Sequence, residues 1–222
     1  MSNALMCEVV VGPERPAEYW WPLLFGALRR AGFAFDDPWS PPGWGTFLDV
    51  TPEADPDDVQ QRGSFRSLWD ALMRRHGEHV LATFWSGAPD PFAVEANLDD
   101  AGERGGRAIY LTLPLESLVD EREHPQPGQE NVHRLRRWLD AVEALHALCE
   151  PHPVTLWWQK QGWLVGTIGA RFAADHPDAP PRDAAGSAPL RIVCRTLAHG
   201  AELCILDPFP VRMSGRFIWL SL

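Results

Sequence analysis

Long apolar runs are missing from this 222-residue sequence. No stretch reaches the roughly 18–20 residues that a membrane-spanning helix needs, and the start lacks a cationic segment followed by an apolar block. Neither a membrane helix nor a signal peptide is expected, and the cytoplasm is the expected compartment. Cysteine is scarce too. Cys7, Cys149, Cys194 and Cys204 show neither CxxC spacing nor the density of a small secreted scaffold, so they read as buried free thiols. Only Cys194 and Cys204 could meet. A three-residue turn at 198–200 places them face to face across a hairpin, a two-residue turn sends them to opposite faces, and a reducing cytosol disfavours a bridge in either case.

Basic residues are in deficit. Twenty Lys and Arg against thirty Asp and Glu give a net charge of −10, which argues against nonspecific binding to nucleic acid and to anionic membrane surfaces. Nineteen of the twenty bases are arginine, a mark of GC-rich coding rather than of function. The familiar catalytic signatures are also missing: HExxH, GxSxG, a phosphate-binding loop, and GxGxxG between a strand and a helix. Their joint absence puts a non-enzymatic protein ahead of an enzyme.

What is present fixes the fold class. With 45% apolar residues, 11 Trp and 10 Phe, the chain can bury a substantial core, and its length suits a single α+β domain. Phe92, Val94, Ala96 and Leu98 alternate with Ala93, Glu95 and Asn97, and Ile109, Leu111 and Leu113 alternate with Tyr110 and Thr112, the pattern of half-buried antiparallel strands. The segment 79–85 is apolar on both faces and is expected to be covered on both sides. Three helices are expected near 18–31, 65–76 and 130–149. The first buries Leu23, Leu24, Ala27, Leu28 and Ala31; Ser64 caps the second, which Gly77 stops; the third carries Val132, Leu135, Leu139, Val142, Leu145 and Cys149 on one stripe and ends before Pro151. The segment 162–172 fits either a bulged strand or a close-packed helix. A flexible loop over 173–188 is expected to precede a β-rich C-terminal subdomain, 189–222, that extends the sheet or forms a second layer. The expected fold is an antiparallel or mixed sheet flanked by about three helices.

Residues 36–63 read as a long loop, and its stretch 36–58 holds seven acids and no Lys or Arg. Trp39 and Trp44 sit there in a frame of Pro and Gly, close to Asp55, Asp57 and Asp58. A semi-rigid backbone carrying Trp beside acids suits recognition of a protein with a basic surface, and these five residues are the candidate binding site. The competing possibility is a lid folded over the core, in which case the acids merely solvate it.

Three other constellations carry potential chemistry. His76, Glu78 and His79 lie within four residues, but no third or fourth ligand is indicated, and His76 on an apolar stripe suits a helix C-terminus, so no metal is expected. His146, Cys149 and His152 surround the end of the third helix, where the dipole opposes a thiolate, so core packing is favoured over a nucleophile. Arg191, Arg195, Arg212 and Arg216, with Trp157 nearby, form an alternative face for an anion or a stacked ring, to be weighed against an ordinary solvated surface. No cofactor is expected, and the chain is expected to be a monomer or homodimer.

By element order, a short strand, an N-terminal helix, the Phe84-Trp85 strand, the strand AIYLTLPLESL and the helix running to CEPHPVTL resemble the small α+β immunity proteins of bacterial toxin systems. The resemblance spans about residues 1–158. It implies a cytosolic bacterial protein that neutralises a cognate toxin by binding it, and it assigns no residue a role.

Overall fold

The computed structural model describes residues 4–49, 60–118, 129–172, 178–180, 190–213 and 216–220. The chain runs β1 (Ala4–Val11), α1 (Ala17–Arg30), β2 (Phe33–Ala34), β3 (Trp44–Asp49), β4 (Gln60–Ser64), α2 (Phe65–Arg74), β5 (Val80–Ser86), β6 (Ala93–Asp100) and β7 (Arg107–Pro114). It continues through α3 (Gln129–Cys149), β8 (Val154–Trp158), β9 (Trp163–Ile168), β10 (Arg191–Thr196), β11 (Glu202–Asp207), β12 (Phe209–Met213) and β13 (Arg216–Leu220). Eleven strands form one sheet in the order β10-β11-β9-β8-β1-β7-β6-β5-β3-β4, with β2 beside β5. Every strand pairing is antiparallel, and β12 and β13 form a separate ribbon. The fold is therefore α+β, an antiparallel sheet with three helices. No helix among the described residues is long and apolar enough to cross a membrane.

The helices cover one face of the sheet. From that face Leu5, Cys7, Val9, Phe84, Val94, Ala96, Ile109, Leu111 and Leu156 join Trp21, Leu24, Leu28, Leu68, Leu72, Leu135, Trp138, Leu139, Val142 and Leu145 of the helices in one core. The α1 helix begins behind Pro16 and tolerates Pro22 near its start, where the missing N–H matters little. Its buried stripe is Trp20, Trp21, Leu24, Ala27 and Leu28; Leu23 and Ala31 are only partly buried, so the stripe is rotated toward the two Trp. Ser64 caps α2 by accepting the Ser67 N–H at 3.2 Å, and the Gly77 N–H returns to the Leu72 carbonyl at 2.7 Å with Gly77 at φ +80°.

Three expectations are corrected, and one open alternative is decided. The stretch 36–63 is not all loop: β3 and β4 pair within it, from Trp44 opposite Ser64 to Leu48 opposite Gln60. Its residues pair because Phe47 is driven into the core and so sets the register. Asp55, Asp57 and Asp58 lie outside the described residues. Strand β5 is not covered on both sides; Val80, Ala82 and Phe84 are buried while Leu81, Thr83 and Trp85 face the half-open side. The alternative left open at 162–172 is decided for the bulged strand: it forms β9, with a register shift against β8 at Leu156/Trp157. Last, Cys194 and Cys204 are disulfide-bonded rather than free. The N–H of Leu197 bonds the Ala201 carbonyl, which leaves 198–200 as the turn and sets Cys194 directly opposite Cys204. Cys7 and Cys149 are buried free thiols. At the C-terminal end, β10 and β11 extend the main sheet next to β9, and Phe209 of the ribbon enters the main core.

Candidate functional site

The face of the sheet opposite the helices is where strand register gathers chemistry. Thr83, Glu95, Thr112, Met6 and Trp157 form one transverse row across five strands, and Leu81, Asn97, Tyr110, Glu8 and Thr155 form the next. Alternation puts them there: each is the polar or half-buried neighbour of a core residue on its own strand. Between them lies a hollow of about 510 Å³ bordered by Met6, His79, Leu81, Glu95, Asn97, Asp99, Tyr110, Thr112 and Gln159.

Two carboxylates on this face have opposite surroundings. Glu8 is buried, and Arg104, from the 3-10 turn after β6, grips it with two hydrogen bonds, Nη1 to Oε2 at 2.8 Å and Nη2 to Oε1 at 2.5 Å. Burial alone would raise the Glu8 carboxyl. Arg104, helped by Tyr110 and Trp157, outweighs it and holds the group below the usual carboxylate range. Thr155 sits beside it and accepts the Trp157 indole N–H at 2.9 Å. Among the described residues, Glu95 has no such cation. Burial raises its pKa, and the nearby Glu116 adds to the rise. A carboxyl whose folded pKa is raised contributes full stability below its unfolded value and loses it as pH climbs through the folded pKa. Glu95→Gln should therefore raise the melting temperature at pH 8 and leave it unchanged near pH 4. Differential scanning fluorimetry across that range checks this, and an equal shift at both pH values would mean the ionised form bears no cost.

At the β5 end of this face the expected Trp residues appear, and they are exposed. Trp39 is 70% and Trp44 44% accessible. Trp44 shares the outward side of β3 with Leu48, while the Trp39 ring meets Trp85 edge-on at 4.8 Å. The loop behind Trp39 is fixed by Asp37, whose carboxylate accepts the Trp39 N–H at 2.9 Å and the Ser40 hydroxyl at 2.8 Å. The Asp37 N–H in turn donates to the Trp44 carbonyl at 2.8 Å. The two rings are thus presented on ordered backbone.

Of the alternative face, Arg195 and Trp157 lie on opposite sides of the sheet. Arg191 pairs with Asp207 at 2.9 Å, and Arg195 pairs with Glu143 of α3, on the helix side of the sheet. Trp157 points to the other side, toward Thr155 and Glu8. The Arg212 and Arg216 side chains lie outside the described residues. Arg195 instead borders a groove of about 920 Å³ with Arg30, Arg136, Arg137 and the apolar Leu139 and Leu203. The His76 and His79 pair also separates. Both adopt positive φ, 51° and 57°; His76 turns to Glu18 at 3.4 Å, while His79 borders the hollow. At the end of α3, burial pushes the Cys149 thiol up to about 12, which removes it as a nucleophile, and His152 packs edge-on against Trp20.

Sequence reasoning overlooked Glu95, Glu8 and Arg104. Glu95 and Glu8 are ordinary outward positions on alternating strands, and only the pairing of β1, β7 and β6 brings them to one face in adjacent rows. One signal was available: Glu8 is a lone acid inside the apolar run LMCEVVV, and a charge there calls for a partner. No protein-family model matches this chain and no solved structure matches it, so the functional reading rests on the geometry of this face.

Proposed function

We propose that the chain is a non-enzymatic binding module that recognises a protein partner with a basic surface through the helix-free face of the sheet and its Trp39/Trp44 edge. The observation that carries this reading is Trp39, 70% exposed yet fixed by Trp85 and by the Asp37 turn. A large ring already held in place loses little entropy on docking, which is the property of an interface anchor. The acid surplus of the whole chain and Glu95, which no cation among the described residues compensates, favour a cationic partner. A toxin-neutralising role, which the element order resembles, is the most specific form of this proposal.

The test is affinity capture from the source cell or with the product of the adjacent gene, followed by a Kd for the purified pair. Trp39→Ala is expected to weaken binding by about 30-fold, equivalent to ~2 kcal/mol. Asp99→Asn should mainly slow association and flatten its salt dependence. Equal affinity for wild type and the Trp39→Ala/Trp44→Ala chain would remove the proposal. A second reading follows from the half-buried Glu95, which has no ion-pair partner among the described residues: a small cationic ligand in the 510 Å³ hollow. Glu95→Gln would abolish that binding while Trp39→Ala would spare it.

A further inference from the structure

At the opposite side of the molecule from the proposed recognition face, three donors from two distant parts of the chain converge. His146 lies in the last turn of α3, and Glu150 is the first residue past its end. His199 comes from the turn between β10 and β11, a hairpin that the Cys194–Cys204 bridge staples. Nδ1 of His146 lies 2.8 Å from Nε2 of His199, and that same Nε2 lies 3.8 Å from Oε1 of Glu150. All three donor atoms fall within 4.8 Å of one another.

From this geometry we propose that His146, Glu150 and His199 form a binding site for a divalent transition metal, zinc by preference, with a fourth position open to water. Two imidazoles and one carboxylate suit zinc, and three protein donors with an open position describe a site that keeps one exchangeable ligand. Two nitrogens on a tetrahedral ion stand about 3.3 Å apart for bonds of ~2.05 Å, so a separation of 2.8 Å needs to open by only about half an ångström.

The His146 ring is held against Gly169, where a Cβ would fall 2.8 Å from Nε2; Gly169, at φ +70°, leaves room for the imidazole. The His146 side is closed and buried, whereas Glu150 is exposed, so an ion would enter from the Glu150 side.

Untagged full-length chain is dialysed against zinc and its metal measured by mass spectrometry, with cobalt titration followed by visible absorption. His146 is buried, so the variants are His199→Gln and Glu150→Gln, each checked for an unchanged melting temperature in chelator. The expected results are about one equivalent of zinc, a tetrahedral cobalt band, and a loss of affinity of at least about 100-fold for His199→Gln and about 10-fold for Glu150→Gln. Zinc should also raise the melting temperature of wild type and not of His199→Gln. Zinc well below one equivalent would overturn the proposal, and so would a cobalt band that His199→Gln leaves unchanged, since the metal would then lie elsewhere. Partner binding by the Trp39 face is read separately, so either proposal can fail alone.

Discussion

Trp21→Ala is expected to destabilise the protein by about 3–5 kcal/mol, the range for emptying a buried aromatic site. Trp21 is fully buried, packs on Phe25 at 5.4 Å, and donates its indole N–H to the Gly77 carbonyl at 2.6 Å. That bond ties the middle of α1 to the chain just past α2. Gly77 itself has no room to adjust, since a Cβ there would lie 2.8 Å from that of Ala17. Truncation therefore leaves both a cavity and an unpaired buried carbonyl. Trp21→Phe restores most of the volume and not the donor, and should cost about 1–2 kcal/mol. Urea titrations of the three proteins at a common m-value separate the two contributions. If Trp21→Ala and Trp21→Phe cost the same, the hydrogen bond dominates and the packing argument is wrong.

Arg104→Ala should cost about 2–4 kcal/mol at pH 7, because it leaves the Glu8 carboxylate buried without its cation. The Arg104 side chain is 52% exposed, which keeps the figure below that of a fully buried pair. The pH dependence gives the sharper test. In the wild type, Glu8 has a lowered pKa, so its contribution is present above its unfolded value and is lost as pH falls through the folded one. Without Arg104 burial, the largest influence, raises the carboxyl against only Tyr110 and Trp157, so the variant is penalised at neutral pH and relieved in acid. The difference between the two proteins should accordingly shrink between pH 7 and pH 4. A loss that is the same at both would show that Arg104 acts through packing alone. Glu8→Gln in the Arg104→Ala background should recover part of the loss at pH 7.

The central meander and α3 were legible because their periodicity repeats over many residues. Leu135, Leu139, Val142 and Leu145 have no arrangement other than a helix that buries all four, and they are buried. The Ser64 cap and the Gly77 stop were legible for a more local reason: a hydroxyl accepting the N–H three residues on, and a glycine at positive φ, depend only on neighbours in the chain. The pairing of β3 with β4 was hidden because Trp44 to Leu48 is a short strand among Pro and Gly, and its register depends on Phe47 reaching a core built by distant elements. The exposure of Trp39 was likewise undecidable from composition. A Trp in a Pro/Gly frame can lid a core or face solvent, and only the Trp85 edge and the Asp37 turn decide which.

By itself, then, the sequence determined the class of fold, the three helices, the central strands and the acid surplus, all of which follow from composition or from contacts fewer than about ten residues apart. Tertiary structure alone decided the sites. Glu8 meets Arg104 across 96 residues, His146 meets His199 across 53, and Cys194 meets Cys204 only because a three-residue turn sets their register. Such pairings carry no period that a sequence can display. They arise when eleven strands commit to one order, because the alternation that sends apolar side chains inward also aligns their polar neighbours, from remote parts of the chain, on the opposite face.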